Sequence, residues 1–138
     1  MLMNRRIVSA LDHERLIAAV DRARSAWTTY APNLNFFSAE LRRGEALHPS
    51  DVPGDVITMN SRFALRDVRT DEVIAYELVY PDCEALRLGK VSVLSPMGMA
   101  VLGAYVGDDV AWASADGPVV ARIERLLYQP EAHGNPSA

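Results

Sequence analysis

The chain has 138 residues, 49% hydrophobic and 23% charged, with a formal net charge of −4. That is enough for one domain with a real core, and it argues against wholesale disorder. No apolar run is long enough for a membrane-spanning helix, and the single cysteine, Cys83, excludes an internal disulfide. Asp12, His13 and Glu14 interrupt what would be the apolar stretch of a leader, so a cytoplasmic monomer is expected. Charge is uneven. Residues 1–54 carry seven Arg against six acids, whereas residues 55–138 carry seven cations against twelve acids. Neither half is a basic patch that would grip phosphates, so no direct nucleic-acid binding is expected. The acidic second half suits a partner with a basic surface.

In chain order, Leu11, Leu16, Ile17, Val20 and Trp27 recur near helical spacing, with Ser9 or Asp12 as a cap. The pattern lapses at Thr28 to Pro32. A second helical pattern follows through Leu34, Phe37, Leu41 and Leu47, weakened by Gly44. Residues 11–47 therefore read as two antiparallel helices joined by a short connection. Residues 48–54 form a turn-rich linker.

From Asp55 the texture becomes that of strands. Val56 to Thr58, Phe63 to Val68, Val73 to Tyr80, Lys90 to Leu94, Asp109 to Ala115 and Val119 to Tyr128 all carry β-formers. Asp116-Gly117 is a hairpin turn signal. One helix interrupts them. Ser95 suits its N-cap and Pro96 its first position, Met97, Ala100, Val101 and Ala104 follow on one face, and Gly107 suits its end.

The stretch Gly89-Lys-Val-Ser-Val-Leu-Ser-Pro-Met-Gly-Met-Ala-Val-Leu-Gly-Ala-Tyr-Val-Gly-Asp108 resembles the C-terminal domain of the Gre transcription elongation factors. Asp71 to Val79 and Arg122 to Tyr128 fit the same domain. Val56-Ile-Thr-Met-Asn-Ser-Arg62, Val79-Tyr-Pro81 and Tyr128-Gln-Pro-Glu-Ala132 resemble the Rnk branch, named as regulators of nucleoside diphosphate kinase. The resemblance implies an α+β fold: a short N-terminal helical hairpin, coiled-coil-like, then an FKBP-like antiparallel sheet with one packed helix. The expected division is 1–54 for hairpin and linker, 55–132 for the Gre-type domain and 133–138 for a disordered tail.

The resemblance also implies docking on RNA polymerase at the rim of its secondary channel. By that likeness Ser95, Pro96 and Met97 lie at the docking edge, although Ser95-Pro96 also suffices as a plain helix start and Met97 suits the core. In Gre factors, acidic residues at the hairpin tip help hold a catalytic magnesium ion that cleaves RNA. Here Trp27 to Phe37 contains no Asp or Glu. Magnesium prefers hard oxygen ligands, usually carboxylates. A helix of about 16 residues spans only about 24 Å, and Gre hairpins are markedly longer. A Gre-like binder that does not cleave is expected, with no catalytic residue, cofactor or metal.

Other features read as structural. Asn60-Ser61-Arg62 suits a turn, Asp108-Asp109 a solvated turn pair, and Trp27, Tyr30, Phe36 and Phe37 a small core between the helices. Cys83, beside Asp82 and Glu84, is a poor nucleophile, and the three histidines fall in different elements. Two alternatives stay open. One is direct contact with nucleoside diphosphate kinase. The other is prolyl isomerisation, which needs an apolar pocket from residues such as Tyr76, Tyr105, Trp112 and Tyr128.

Overall fold

A computed structural model describes residues 7–26 and 32–134. The chain opens with strand β1 (Ile7–Ser9) and helix α1 (Ala10–Ala26), then helix α2 (Pro32–Arg43) and strand β2 (Glu45–Leu47). Ser9 caps α1, its Oγ accepting from the Asp12 backbone N–H at 3.2 Å. His13 Nε2 lies 3.0 Å from the Leu41 carbonyl, so the start of α1 meets the end of α2. Only five residues separate the other ends, and the pair is antiparallel.

The second helix is shorter than its periodicity suggests. It stops at Arg43, and Glu45–Leu47 is a strand paired in parallel with Ile7–Ser9. The backbone of residues 45–47 takes its hydrogen bonds from β1 rather than from α2. This small sheet closes the base of the hairpin.

The main sheet contains β3 (Arg62–Asp67), β4 (Val73–Val79), β5 (Lys90–Ser92), β6 (Asp109–Ser114) and β7 (Gly117–Tyr128), in the order β5-β4-β3-β7-β6. The long β7 pairs with both β3 and β6, with two register shifts against β3. Such bulges bend a strand and sharpen its twist. The expected sheet is antiparallel, and one pairing departs from that: β5 runs parallel to β4. Residues 80–89 are a crossover of two short 3-10 turns, Pro81–Cys83 and Leu86–Leu88, rather than a hairpin.

Helix α3 (Pro96–Val101) also ends earlier than expected. Gly103, at φ 82°, makes the exit rather than Gly107. Tertiary hydrogen bonds displace the helical ones there. Gly103 N donates to the Ile57 carbonyl, Ile57 N to Ala104 and Val106 N to Asp55, at 2.8 to 2.9 Å. Val56 to Thr58 thus pairs with the chain after α3 through a single bridge, Val56 to Tyr105, rather than forming a full strand. Glu131–His133 forms a 3-10 turn, with His133 stacked on Tyr128 at 4.7 Å, and residues 135–138 lie outside the described ones.

One core runs through the hairpin and the sheet. Val8, Leu16, Val20, Phe37 and Leu41 pack in the same cluster as Ile57, Phe63, Leu78, Val101 and Ile123. Burial on that scale holds the helices to the sheet, since each fully buried Leu, Ile or Phe contributes about 1.5–3 kcal/mol.

Candidate functional site: the start of α3 and the hairpin base

Strand β5 delivers the chain to α3. The Ser92 carbonyl accepts from Ser95 N at 3.0 Å and from Ser95 Oγ at 2.7 Å. Ser95 Oγ then accepts from Gly98 N at 3.1 Å, which makes Ser95 the N-cap, and Pro96 occupies the first turn where no donor is needed. Gly98 is required here. A Cβ on it would meet the Ser92 carbonyl oxygen at 2.0 Å.

The three residues picked out by resemblance stand together, with different exposures. Pro96 is exposed, Ser95 is half-buried in its cap, and Met97 is half-buried and packs on the core. Ser95→Ala is expected to cost about 1 kcal/mol, the usual worth of an N-cap, read as a lower urea midpoint.

Beside Pro96 lies a groove of about 280 Å³. Phe36 and Glu40 of α2 form one wall, Pro96 and Met99 of α3 another, and Ala111 and Trp112 of β6 the floor. Phe36 is 56% exposed while Phe37 is 1% exposed. The expectation that both fill the hairpin core is therefore corrected for Phe36. Successive helical residues point about 100° apart, and only Phe37 falls on the stripe with Leu34 and Leu41. Trp27 and Tyr30 lie outside the described residues.

A buried polar cluster fixes the hairpin to the sheet. Asp12 is 2% exposed and accepts from the Tyr80 hydroxyl at 3.0 Å. Arg15 lies over the Tyr80 ring at 4.4 Å. Thr58 Oγ1 donates to Glu131 at 2.6 Å, and the Gln129 amide donates to the Pro53 and Val56 carbonyls at 2.7 Å. Burial pushes the Asp12 carboxyl up to about 6, with repulsion from Glu131 adding to it and the Tyr80 bond and Arg15 opposing it. Burial and Asp12 push the Tyr80 phenol up as well. A second cleft, of about 640 Å³, opens between α1 and the Tyr80 to Asp82 turn, with Arg15, Arg22 and Leu94 in its walls.

The remaining candidates separate. Asn60 makes its turn at φ 66°, and Ser61 Oγ bonds the Thr58 backbone N–H at 3.0 Å. Asp109 pairs with Arg122 at 2.9 Å, while Asp108 accepts from Tyr105 N. Cys83 is exposed, and among the described residues no His, Cys, Asp and Glu group could hold a metal. Tyr76 lies 6.2 Å from Phe63 and packs on the core with Trp112, Tyr128 stacks on His133, and of these aromatics Trp112 lines the groove. No helix among the described residues is long and apolar enough to cross a membrane.

Sequence reading missed Asp12, Tyr80 and Glu131 as a unit. The signal was present for Asp12, an acid four residues before Leu16 and eight before Val20 on a buried stripe.

A family model described as "Transcription elongation factor, GreA/GreB, C-term" matches residues 52–128. The chain belongs to the GreA/GreB family. Within that family it is 38% identical over 131 residues to the Regulator of nucleoside diphosphate kinase of Escherichia coli K12, covering 94% of this chain and 93% of that protein. It is therefore a homologue of the Rnk branch. It is also 33% identical over 89 residues to the Transcription elongation factor GreA of Syntrophotalea carbinolica, a match covering 64% of this chain and 56% of that protein. Among solved structures it matches the prokaryotic transcription elongation factor GreA/GreB from Nitrosomonas europaea, with a TM-score of 0.75 and 32% identity, over 91% of this chain and all of that one. The α+β Gre-like fold follows, and with it a place among transcription factors of this family.

Proposed function

We propose that this chain binds RNA polymerase at the rim of the secondary channel through the Ser95–Met97 end of α3, without stimulating transcript cleavage. Membership of the Gre family supports the partner. The exposed Pro96, held by the Ser95 cap, supports the docking end. The absence of any Asp or Glu between Trp27 and Phe37 carries the second half of the proposal. Neutral side chains supply no charged ligand for magnesium. The reach is short too, because the 17 residues of α1 span only about 25 Å.

Such a protein occupies the rim and excludes a cleaving factor. Purified chain added to stalled elongation complexes is expected to leave the RNA uncut, and to suppress cleavage by an added Gre factor in a saturable way. RNA shortening by the chain alone would overturn the non-cleaving half. Failure to bind core polymerase at micromolar concentration would overturn the partner. The Escherichia coli relative is named for nucleoside diphosphate kinase, so that kinase is the second binding target to test.

A further inference from the structure

We propose that the cleft between α1 and the Tyr80 to Asp82 turn binds a small organic phosphate of nucleotide size, its phosphate group held by Arg15 and Arg22. The inference does not depend on the polymerase reading. The cleft holds about 640 Å³, inside the range of about 300–1,000 Å³ usual for small-molecule sites. It also lies where hairpin and sheet meet, and such junctions are favoured places for ligands.

The arginines set the charge of the ligand. Arg15 and Arg22 stand two turns apart on one face of α1, about 10 Å along its axis. Ala18 and Ala19 between them are small, so an anion lying along the helix meets both. Among the described residues neither arginine forms an ion pair, whereas Arg24, Arg42, Arg66 and Arg122 all do. Arg15 is held over the Tyr80 ring at 4.4 Å, and its charge offsets part of that of the buried Asp12. Arg22 is exposed and has no partner among the described residues. The planar guanidinium fork matches phosphate oxygens in pairs. The facing wall narrows the rest of the ligand. Asp82 repels a bare polyanion there and accepts from a hydroxyl or amino group, while Pro81 and Leu94 add apolar surface. The ligand therefore carries its phosphate at one end and a body with hydroxyl or amino donors at the other. Nucleoside phosphates and sugar phosphates share that chemistry.

Binding of ADP, ribose 5-phosphate and citrate to the full chain is measured by calorimetry at low salt. Saturable binding of a phosphate, tighter than that of citrate, is expected. Tighter binding of ADP would support the site with a base in its apolar end, and equal binding of the two phosphates would support it with a sugar alone. Arg22→Ala and Ala18→Glu are each expected to weaken binding about tenfold. The first removes a charge-assisted hydrogen bond, and the second sets a carboxylate one turn from each arginine. Both positions are exposed, so the fold is kept, and an unchanged melting temperature checks it. Arg43→Ala, the same loss of charge on the hairpin but outside the cleft, is expected to change nothing. No phosphate binding at millimolar concentration, or citrate bound as tightly, would overturn the ligand. Binding that Arg22→Ala and Ala18→Glu leave intact, or that Arg43→Ala weakens equally, would overturn the cleft.

Discussion

Gly98→Ala is expected to destabilise the chain by about 3 kcal/mol or more, at the upper end of what overpacking costs. The methyl group would stand 2.0 Å from the Ser92 carbonyl oxygen and 2.7 Å from the Val93 Cα. Both are backbone atoms of the segment that forms β5 and its exit, and no side chain can rotate away to make room. The Ser92 carbonyl also holds Ser95 through two hydrogen bonds. Pushing α3 off therefore disturbs the cap and the presentation of Pro96 together. A melting temperature lower by about 10 °C is expected for a chain of this size. Gly54→Ala is the control. Nothing lies within 4 Å of a Cβ there, and its change is expected to stay within about 0.5 kcal/mol. Equal melting temperatures for Gly98→Ala and wild type would show that α3 does not pack on Ser92 as described.

Asp12→Asn is expected to stabilise the chain at pH 7.5 and to flatten its pH dependence. The folded-state carboxyl sits at about 6 against an ordinary 3.8, with burial as the largest cause. The folded state thus holds the proton more tightly than the unfolded state. Stability from this group is fully present below pH 3.8, falls as the pH rises, and is lost above about 6. The difference corresponds to about 3 kcal/mol at neutral pH. Asn keeps an oxygen to accept from the Tyr80 hydroxyl and carries no charge to bury. Glu124 acts in the opposite direction. Its ion pair with Arg66 holds its carboxyl low, so its contribution is lost as the pH falls. Comparing wild type with Asp12→Asn by urea unfolding from pH 4 to pH 8 cancels that shared term. The two curves are expected to converge near pH 4 and to diverge up to about pH 6. Parallel curves would mean that Asp12 ionises in the fold as freely as in the unfolded chain.

The legible parts of this protein were those set by neighbours in sequence. Alternation and turn chemistry marked β3, β4, β6 and β7, and Ser95-Pro96 marked the start of α3, because caps and turns are made by residues a few positions apart. The Gre-type block from Gly89 to Asp108 carried the family, and the missing tip carboxylates carried the expectation of no cleavage.

Long-range pairings decided the rest. Glu45–Leu47 has a helical pattern, yet it takes hydrogen bonds from Ile7–Ser9, almost forty residues earlier. Residues 102–106 could continue α3, yet their backbone groups bond Asp55 and Ile57 instead. The direction of β5 depends on how residues 80–89 cross over, which no local period encodes. The candidate site follows the same rule. Phe36 and Pro96 are sixty residues apart, Asp12 and Tyr80 sixty-eight, and the shared core of hairpin and sheet brings each pair together. Local propensity determined which elements form and where they begin. Tertiary burial determined where they end, which polar groups meet, and how an exposed aromatic on α2 comes to lie beside the start of α3, because these depend on free energies summed over residues distant in the chain.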